Sequence, residues 1–193
     1  MTSKPTFAQL VSLACHDLRT PLATASGFAH TLKRLDTIAP PADRYVEMIG
    51  AASAQMAELL DLLGVASRIE SGRYEPQIRE ASSYELAAAA AEKLGEEAEL
   101  NGEGATVAVD PPWAQTALVA LGECIRRHGG LERVTYAVEG PVVAIGPVRE
   151  GVGQIALGEE LRDFGAAVAV RVLRAIGAEL ELDGERLIVR LPQ

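Results

Sequence analysis

His16-Asp17-Leu18-Arg19-Thr20-Pro21-Leu22 is the stretch whose reading decides the fold, and it lies inside a run of helical apolar spacing. From Thr6 to about Leu35 the apolar positions are Phe7, Leu10, Val11, Ala14, Leu18, Leu22, Ala25, Phe28, Leu32 and Leu35, the recurrence of an amphipathic helix. Thr37-Ile38-Ala39-Pro40-Pro41 breaks it. A second helical pattern runs through Tyr45, Met48, Ile49, Ala52, Met56, Leu59, Leu60, Leu63, Ala66 and Ile69. It stops at Ser71-Gly72, where glycine supplies a left-handed cap. Two long helices on a short Pro-containing loop predict an antiparallel hairpin over 1–73, each helix roughly 45 Å long at 1.5 Å per residue. A lone hairpin cannot bury both sides of its apolar stripe. Pairing with a second copy makes a four-helix bundle, so a homodimer is expected on physical grounds.

Residues 74–193 have a different texture. Arg73 to Ser83 reads as a linker and Ser83 to Leu94 as a helix. Ala105 to Val109 reads as a strand, and Asp110-Pro111-Pro112 opens a helix to about Arg127, with proline in the first turn. His128-Gly129-Gly130 stops it. Arg133 to Val138 and Val142 to Ile145 alternate like a hairpin around Glu139-Gly140-Pro141. Gly158 to Ile176 reads as a helix, and Glu179 to Leu182 with Arg186 to Leu191 as a hairpin around Asp183-Gly184. Helices interleaved with hairpins predict a two-layer α/β sandwich, so the chain as a whole is α+β.

Bulk properties narrow the function classes. A length of 193 residues fits one large or two small domains. Only 4% of residues are aromatic, which favours packed helices over a β-sandwich. A net charge of −9 argues against nucleic acid, whose phosphates select basic surfaces. Cys15 and Cys124 stand far apart, a poor disulfide framework with no zinc spacing, and a cytoplasmic location is expected. No signal pattern opens the chain, and no run reaches the roughly 18 apolar residues of a membrane helix, so no membrane segment is expected.

On a helix, His16 has Ser12, Arg19, Thr20 and Ala23 as surface neighbours, with Gln9 and Gly27 a turn further out. Leu18 and Leu22 point elsewhere, into the bundle, so His16 lies on the wet face. An unprotonated imidazole nitrogen is a nucleophile, and an adjacent acid fixes its tautomer or takes its proton. Asp17 is that acid. The Thr20 hydroxyl can hold a water or a phosphoryl oxygen, and Arg19 offers charge to a transferring phosphoryl group. Ala23 and Gly27 leave room for a partner protein. Pro21 frees the Asp17 carbonyl and bends the helix beside the histidine.

These residues resemble the H-box of bacterial two-component sensor histidine kinases, and Ser67-Arg68-Ile69-Glu70-Ser71-Gly72 resembles how that family leaves its second helix. The resemblance implies His16 as phosphoacceptor, Asp17 as acid/base partner and Thr20 as a residue used in dephosphorylating a response regulator. It extends thinly over the rest. Val107-Ala108-Val109-Asp110 and the Trp113–His128 helix are similar to the entry of the family's ATP-binding domain, with Gln115, Leu118, Leu121, Arg127 and His128 at similar types. The asparagines of the metal-binding box align to Ala120 and Cys124, neither an oxygen ligand for magnesium. After the Val142–Ile145 strand the chain reads Gly146-Pro147-Val148-Arg149-Glu150-Gly151-Val152-Gly153, without the adenine-reading aspartate. The Gly-rich phosphate box reads Arg162-Asp163-Phe164-Gly165-Ala166-Ala167, where Gly165 survives and Asp163 repels triphosphate.

Three degraded nucleotide elements together make ATP and magnesium unexpected as cofactors. The remaining pattern resembles the kinase-like histidine phosphotransferases, which implies a dimeric hairpin exchanging a phosphoryl group on His16 with the aspartate of response regulator receiver domains. Two other functions stay open: an ATP-dependent sensor kinase core with an atypical nucleotide site, and a non-catalytic regulator-binding module or phosphatase. The catalytic candidates are therefore His16, Asp17 and Thr20. The partner-binding candidates are Ser12, Arg19, Ala23 and Gly27. Cys124 and His128, at i and i+4, permit a metal site on a helix, but with no further ligand in view core packing of Cys124 is expected and no metal is assigned. Cys15 is expected to be buried and His30 to be on the surface. Glu96, Glu97 and Glu99 read as a solvated face.

Overall fold

The computed structural model describes residues 7–34, 40 and 42–193, divided into a unit ending at Tyr74 and a unit from Glu75 to Gln193. The first is an antiparallel helical hairpin, α1 (Phe7–Arg34) packed along α2 (Ala42–Glu70). Leu35 and the breaker residues 37–39 and 41 lie outside the described residues. Pro21 sits inside α1, and α2 ends where Gly72 takes φ +64° and Gly72 N–H donates to the Ile69 carbonyl at 3.0 Å. Ser67 Oγ of α2 donates to the Ala8 carbonyl of α1, and Cys15, Ala29, Val46 and Val65 are buried between the helices.

Much of the hairpin's apolar surface is uncovered within one chain. Leu18, Phe28 and Leu32 of α1 and Tyr45, Met48, Ile49, Met56 and Leu59 of α2 are all exposed. Leu18, expected to point into a bundle, is 53% exposed, and Leu22 is half-buried. The sequence reading also expected no candidate membrane helix, whereas Ala42–Glu70 is long and apolar enough, by length and composition, to cross one. Glu58 and Asp61 sit within it, and ionised carboxylates at the centre of a bilayer are costly.

The second unit contains β1 (Arg79–Ser82), α3 (Ser83–Leu94), β2 (Ala98–Gly104), β3 (Thr106–Val109), α4 (Pro111–Gly129), β4 (Val134–Gly140), β5 (Val142–Gly146), α5 (Val152–Ala156), α6 (Phe164–Ala175), β6 (Glu179–Asp183) and β7 (Arg186–Arg190). A five-stranded sheet runs β2-β4-β5-β7-β6, with β2 parallel to β4 and the other pairs antiparallel; β1 and β3 form a separate two-stranded sheet. The cross-strand rows Tyr136–Ile145–Leu187 and Val138–Val143–Val189 are buried, as period-2 alternation requires of a strand with one covered face. Helices α3, α4 and α6 supply the second layer, through Leu86, Ala90, Leu118, Leu121, Ile125, Val170 and Leu173. Tyr136 is held in this core by its hydroxyl, which donates to the Leu118 carbonyl at 2.9 Å.

Two expectations are corrected, and one strand appears where no element was expected. The linker read over 73–83 contains β1, which pairs with β3 in the register Arg79↔Val109 to Ser82↔Thr106. The acidic segment after Leu94 leads into β2; its residues are all exposed or half-buried, so no apolar alternation announces it. The helix expected over 158–176 begins only at Phe164. Gly158 has φ +69°, and the Asp163 carboxylate accepts the Ala166 N–H at 3.0 Å, which caps the helix at that point.

Candidate functional site

His16 lies mid-helix on α1 with its side chain 80% exposed, and its Nδ1 is 3.1 Å from Asp17 Oδ1. The contact fixes one side of the ring. With Nδ1 engaged as a donor, Nε2 carries the lone pair and faces away from the carboxylate, the tautomer a nucleophilic imidazole needs. Thr20, one turn on, is exposed, and its carbonyl accepts the Thr24 hydroxyl at 3.0 Å. Pro21, the following residue, brings no N–H to the Asp17 carbonyl.

The other candidate positions line the same stretch of α1. Ala23 and Gly27 are exposed, a Cβ at Gly27 would meet nothing within 4 Å, and Ser12 is half-buried. Arg19 is exposed but engaged: its Nη2 donates to Asp61 Oδ1 at 2.7 Å, joining α1 to α2. The charge expected to serve a phosphoryl group is therefore shared with Asp61. His30 is exposed and Cys15 is 2% exposed.

In the second unit a different cluster forms at the end of α4 and the start of α6. Asp163, its side chain 3% exposed, accepts from Ala166 N–H through Oδ1 and from Arg127 through Oδ2, with His128 Nε2 at 3.1 Å from Oδ2. Burial pushes its carboxyl pKa up. The Ala166 N–H, the Arg127 guanidinium and His128 outweigh that and hold the carboxyl below the ordinary aspartate range. Burial, reinforced by the charge of Asp163, pushes the adjacent Cys124 thiol up to about 12. Gly165 fits the α6 N-terminus closely against α4: a Cβ there would lie 3.3 Å from Asp163 Oδ1 and 3.5 Å from Ala120 Cβ. Sequence reasoning placed Asp163 in a phosphate box but did not foresee its contact with Arg127, His128 and Cys124, because 35 or more residues separate it from each.

Residues 8–72 match the family described as the His Kinase A (phospho-acceptor) domain. The sensor protein DivL of Caulobacter vibrioides is 30% identical over 95 residues, which is 49% of this chain and 12% of that protein. Full-length ShkA, solved in complex with AMPPNP, superposes with a TM-score of 0.66 at 17% identity, over 97% of this chain and 46% of that one. The Acinetobacter baumannii histidine kinase AdeS gives a TM-score of 0.57 at 16% identity, over 92% and 97%. The chain thus spans 12% of the curated relative and 46% of ShkA. Residues 8–72 are thus similar to a phospho-acceptor domain, and the helical hairpin followed by an α+β unit resembles histidine kinases in fold.

Proposed function

We propose that this chain is a phosphotransfer protein of two-component signalling, carrying a phosphoryl group on His16 and exchanging it with the aspartate of a response regulator receiver domain. The observation that carries the reading is the exposed His16–Asp17 pair on a phosphoacceptor hairpin. His16 Nε2 attacks the phosphorus of an aspartyl phosphate, a P–N bond forms, and the P–O bond to the regulator carboxylate breaks. The imidazole becomes cationic, and the carboxylate of Asp17 at Nδ1 offsets that charge. The reverse step returns the group to a second regulator. The open surface at Ala23 and Gly27 suits close approach of a receiver.

The uncovered apolar residues of α1 and α2 support a homodimer, in which a second copy covers Leu18, Phe28, Met48, Met56 and Leu59 as a four-helix bundle. This occupant also accounts for the apolar face of α2 without a bilayer. Two free, buried thiols fit a reducing cytoplasm.

ATP and magnesium do not fit the residues at the α6 N-terminus. A helix start that would attract phosphate is already capped by the Asp163 carboxylate, and Gly165 brings it against Ala120. A carboxylate there repels a triphosphate, and a thiol is a poor ligand for magnesium. This geometry favours a phosphoryl group supplied by another protein over autophosphorylation. Thr20, exposed one turn from His16, favours a second reading in which the same face promotes dephosphorylation of the regulator.

The test is incubation of the chain with receiver domains carrying labelled aspartyl phosphate. Label should appear on wild type and be absent from His16→Ala. Equal labelling of the variant refutes the phosphoacceptor role. Label lost to inorganic phosphate, with Thr20 required and no phosphohistidine formed, selects the phosphatase reading.

A further inference from the structure

Cys124, His128 and Asp163 take no part in the transfer at His16. Their ligand atoms (a thiol sulfur, an imidazole nitrogen and a carboxylate oxygen) lie within 4.8 Å of one another. Cys124 and His128 are one turn apart on α4, and Asp163 comes from the cap of α6. We propose that these three side chains form a binding site for a transition-metal dication, with zinc the best match, in which Cys124 Sγ, His128 Nε2 and Asp163 Oδ2 are the ligands.

The donor set selects the ion class. One thiolate, one imidazole and one carboxylate suit zinc, which takes S, N and O ligands in tetrahedral geometry. Magnesium and calcium prefer oxygen throughout. Bonds of about 2.0–2.3 Å place tetrahedral ligands about 3.4 Å apart, close to the 3.1 Å already found between His128 Nε2 and Asp163 Oδ2. The carboxylate is also oriented in advance. Its Oδ1 is fixed by the Ala166 N–H, leaving Oδ2 turned toward α4, the outer-shell support that metal sites use to aim a ligand.

Arg127 shares Oδ2, but its side chain is 62% exposed and can turn into water. His128 is 24% exposed, so an ion can reach the cluster from that side, where a fourth position stays open to water. On binding, the Cys124 proton leaves to solvent and the His128 proton sits on Nδ1. Thiolate and carboxylate then neutralise the dication, replacing the Asp163–Arg127 pair. The bound ion would tie the last turn of α4 to the first turn of α6.

The experiment uses the full chain, stripped of metal with a chelator and titrated with cobalt(II), followed by zinc competition. Wild type should bind one equivalent of cobalt with a near-ultraviolet thiolate-to-metal charge-transfer band, and zinc should remove it. Cys124→Ser should abolish the band, and Cys15→Ser should leave it unchanged. His128→Gln, at a partly exposed position that the fold tolerates more easily, should weaken zinc binding by more than about tenfold, since even the loss of an outer-shell partner costs 10–100-fold. A wild type without the band, a band that survives Cys124→Ser or disappears in Cys15→Ser, or zinc affinity unchanged in His128→Gln overturns the proposal.

Discussion

Asp163→Ala is the perturbation that best tests how the second unit is held together. The wild-type carboxylate makes three kinds of contact: the cap on Ala166 N–H, the ion pair with Arg127 and the contact with His128. Losing a side-chain N-cap costs about 1 kcal/mol. Arg127 is 62% exposed and regains water when its partner goes, so its loss adds at most about 1 kcal/mol. His128 is mostly covered, and a lost hydrogen bond there adds about 0.5–1.5 kcal/mol. Relief from burying a carboxylate recovers part of this, leaving a net loss of about 2 kcal/mol. Asp163→Asn keeps an oxygen to cap α6 and loses only the charge, so it should cost about 1 kcal/mol. Urea unfolding at neutral pH with a chelator present gives both values. Emission of Trp113 reports it, because this is the only tryptophan in the chain and it lies on α4 of the same unit. If Asn costs as much as Ala, or Ala costs less than about 0.5 kcal/mol, the reasoning fails.

Three further outcomes concern the pH dependence of Asp163, the packing at Gly122 and the Arg19–Asp61 pair. The Asp163 carboxyl titrates lower folded than unfolded, so its contribution is complete above the unfolded value, about 3.9, and is lost as pH falls through the lower folded value. Acid should therefore destabilise metal-free wild type more steeply than Asp163→Asn, and parallel pH–stability curves would contradict this. A Cβ at Gly122 would lie 1.9 Å from Tyr136 Oη. Gly122→Ala should thus cost about 1–3 kcal/mol by overpacking, and adding Tyr136→Phe should recover part of it; strict additivity in thermal melts would refute the clash. The Arg19–Asp61 pair is solvent-exposed on both sides. A double-mutant cycle on its two alanine variants should return under about 1 kcal/mol, and a larger coupling would show the pair shielded by a second copy.

Much of this molecule is legible in its sequence, and the exceptions share a cause. Apolar spacing places both long helices, and Gly72, Gly130 and Gly184 mark ends or turns by their positive φ. In the main sheet β4 and β7 are visible because Val134, Tyr136, Val138, Leu187 and Val189 are buried in alternation with more open positions, and β5 because Val142-Val143-Ala144-Ile145 is a short apolar run. Edge strand β2 is invisible. Its sequence, Ala98-Glu99-Leu100-Asn101-Gly102-Glu103-Gly104, has low strand propensity, and it is extended because the parallel ladder with β4 satisfies its backbone. Strand β1 likewise depends on β3. Periodicity does not locate the start of α6, because a cap is decided by where one carboxylate turns.

The sequence by itself determined the hairpin, the α+β class and the placing of His16 beside Asp17 and Thr20, since these depend on neighbours within about four residues along a helix. Tertiary structure alone decided which distant side chains meet. It engaged Arg19 with Asp61, and it brought Asp163 to Cys124, Arg127 and His128. Both join residues far apart in the chain, so they exist only once helices have packed and set the distances between side chains that spacing leaves free.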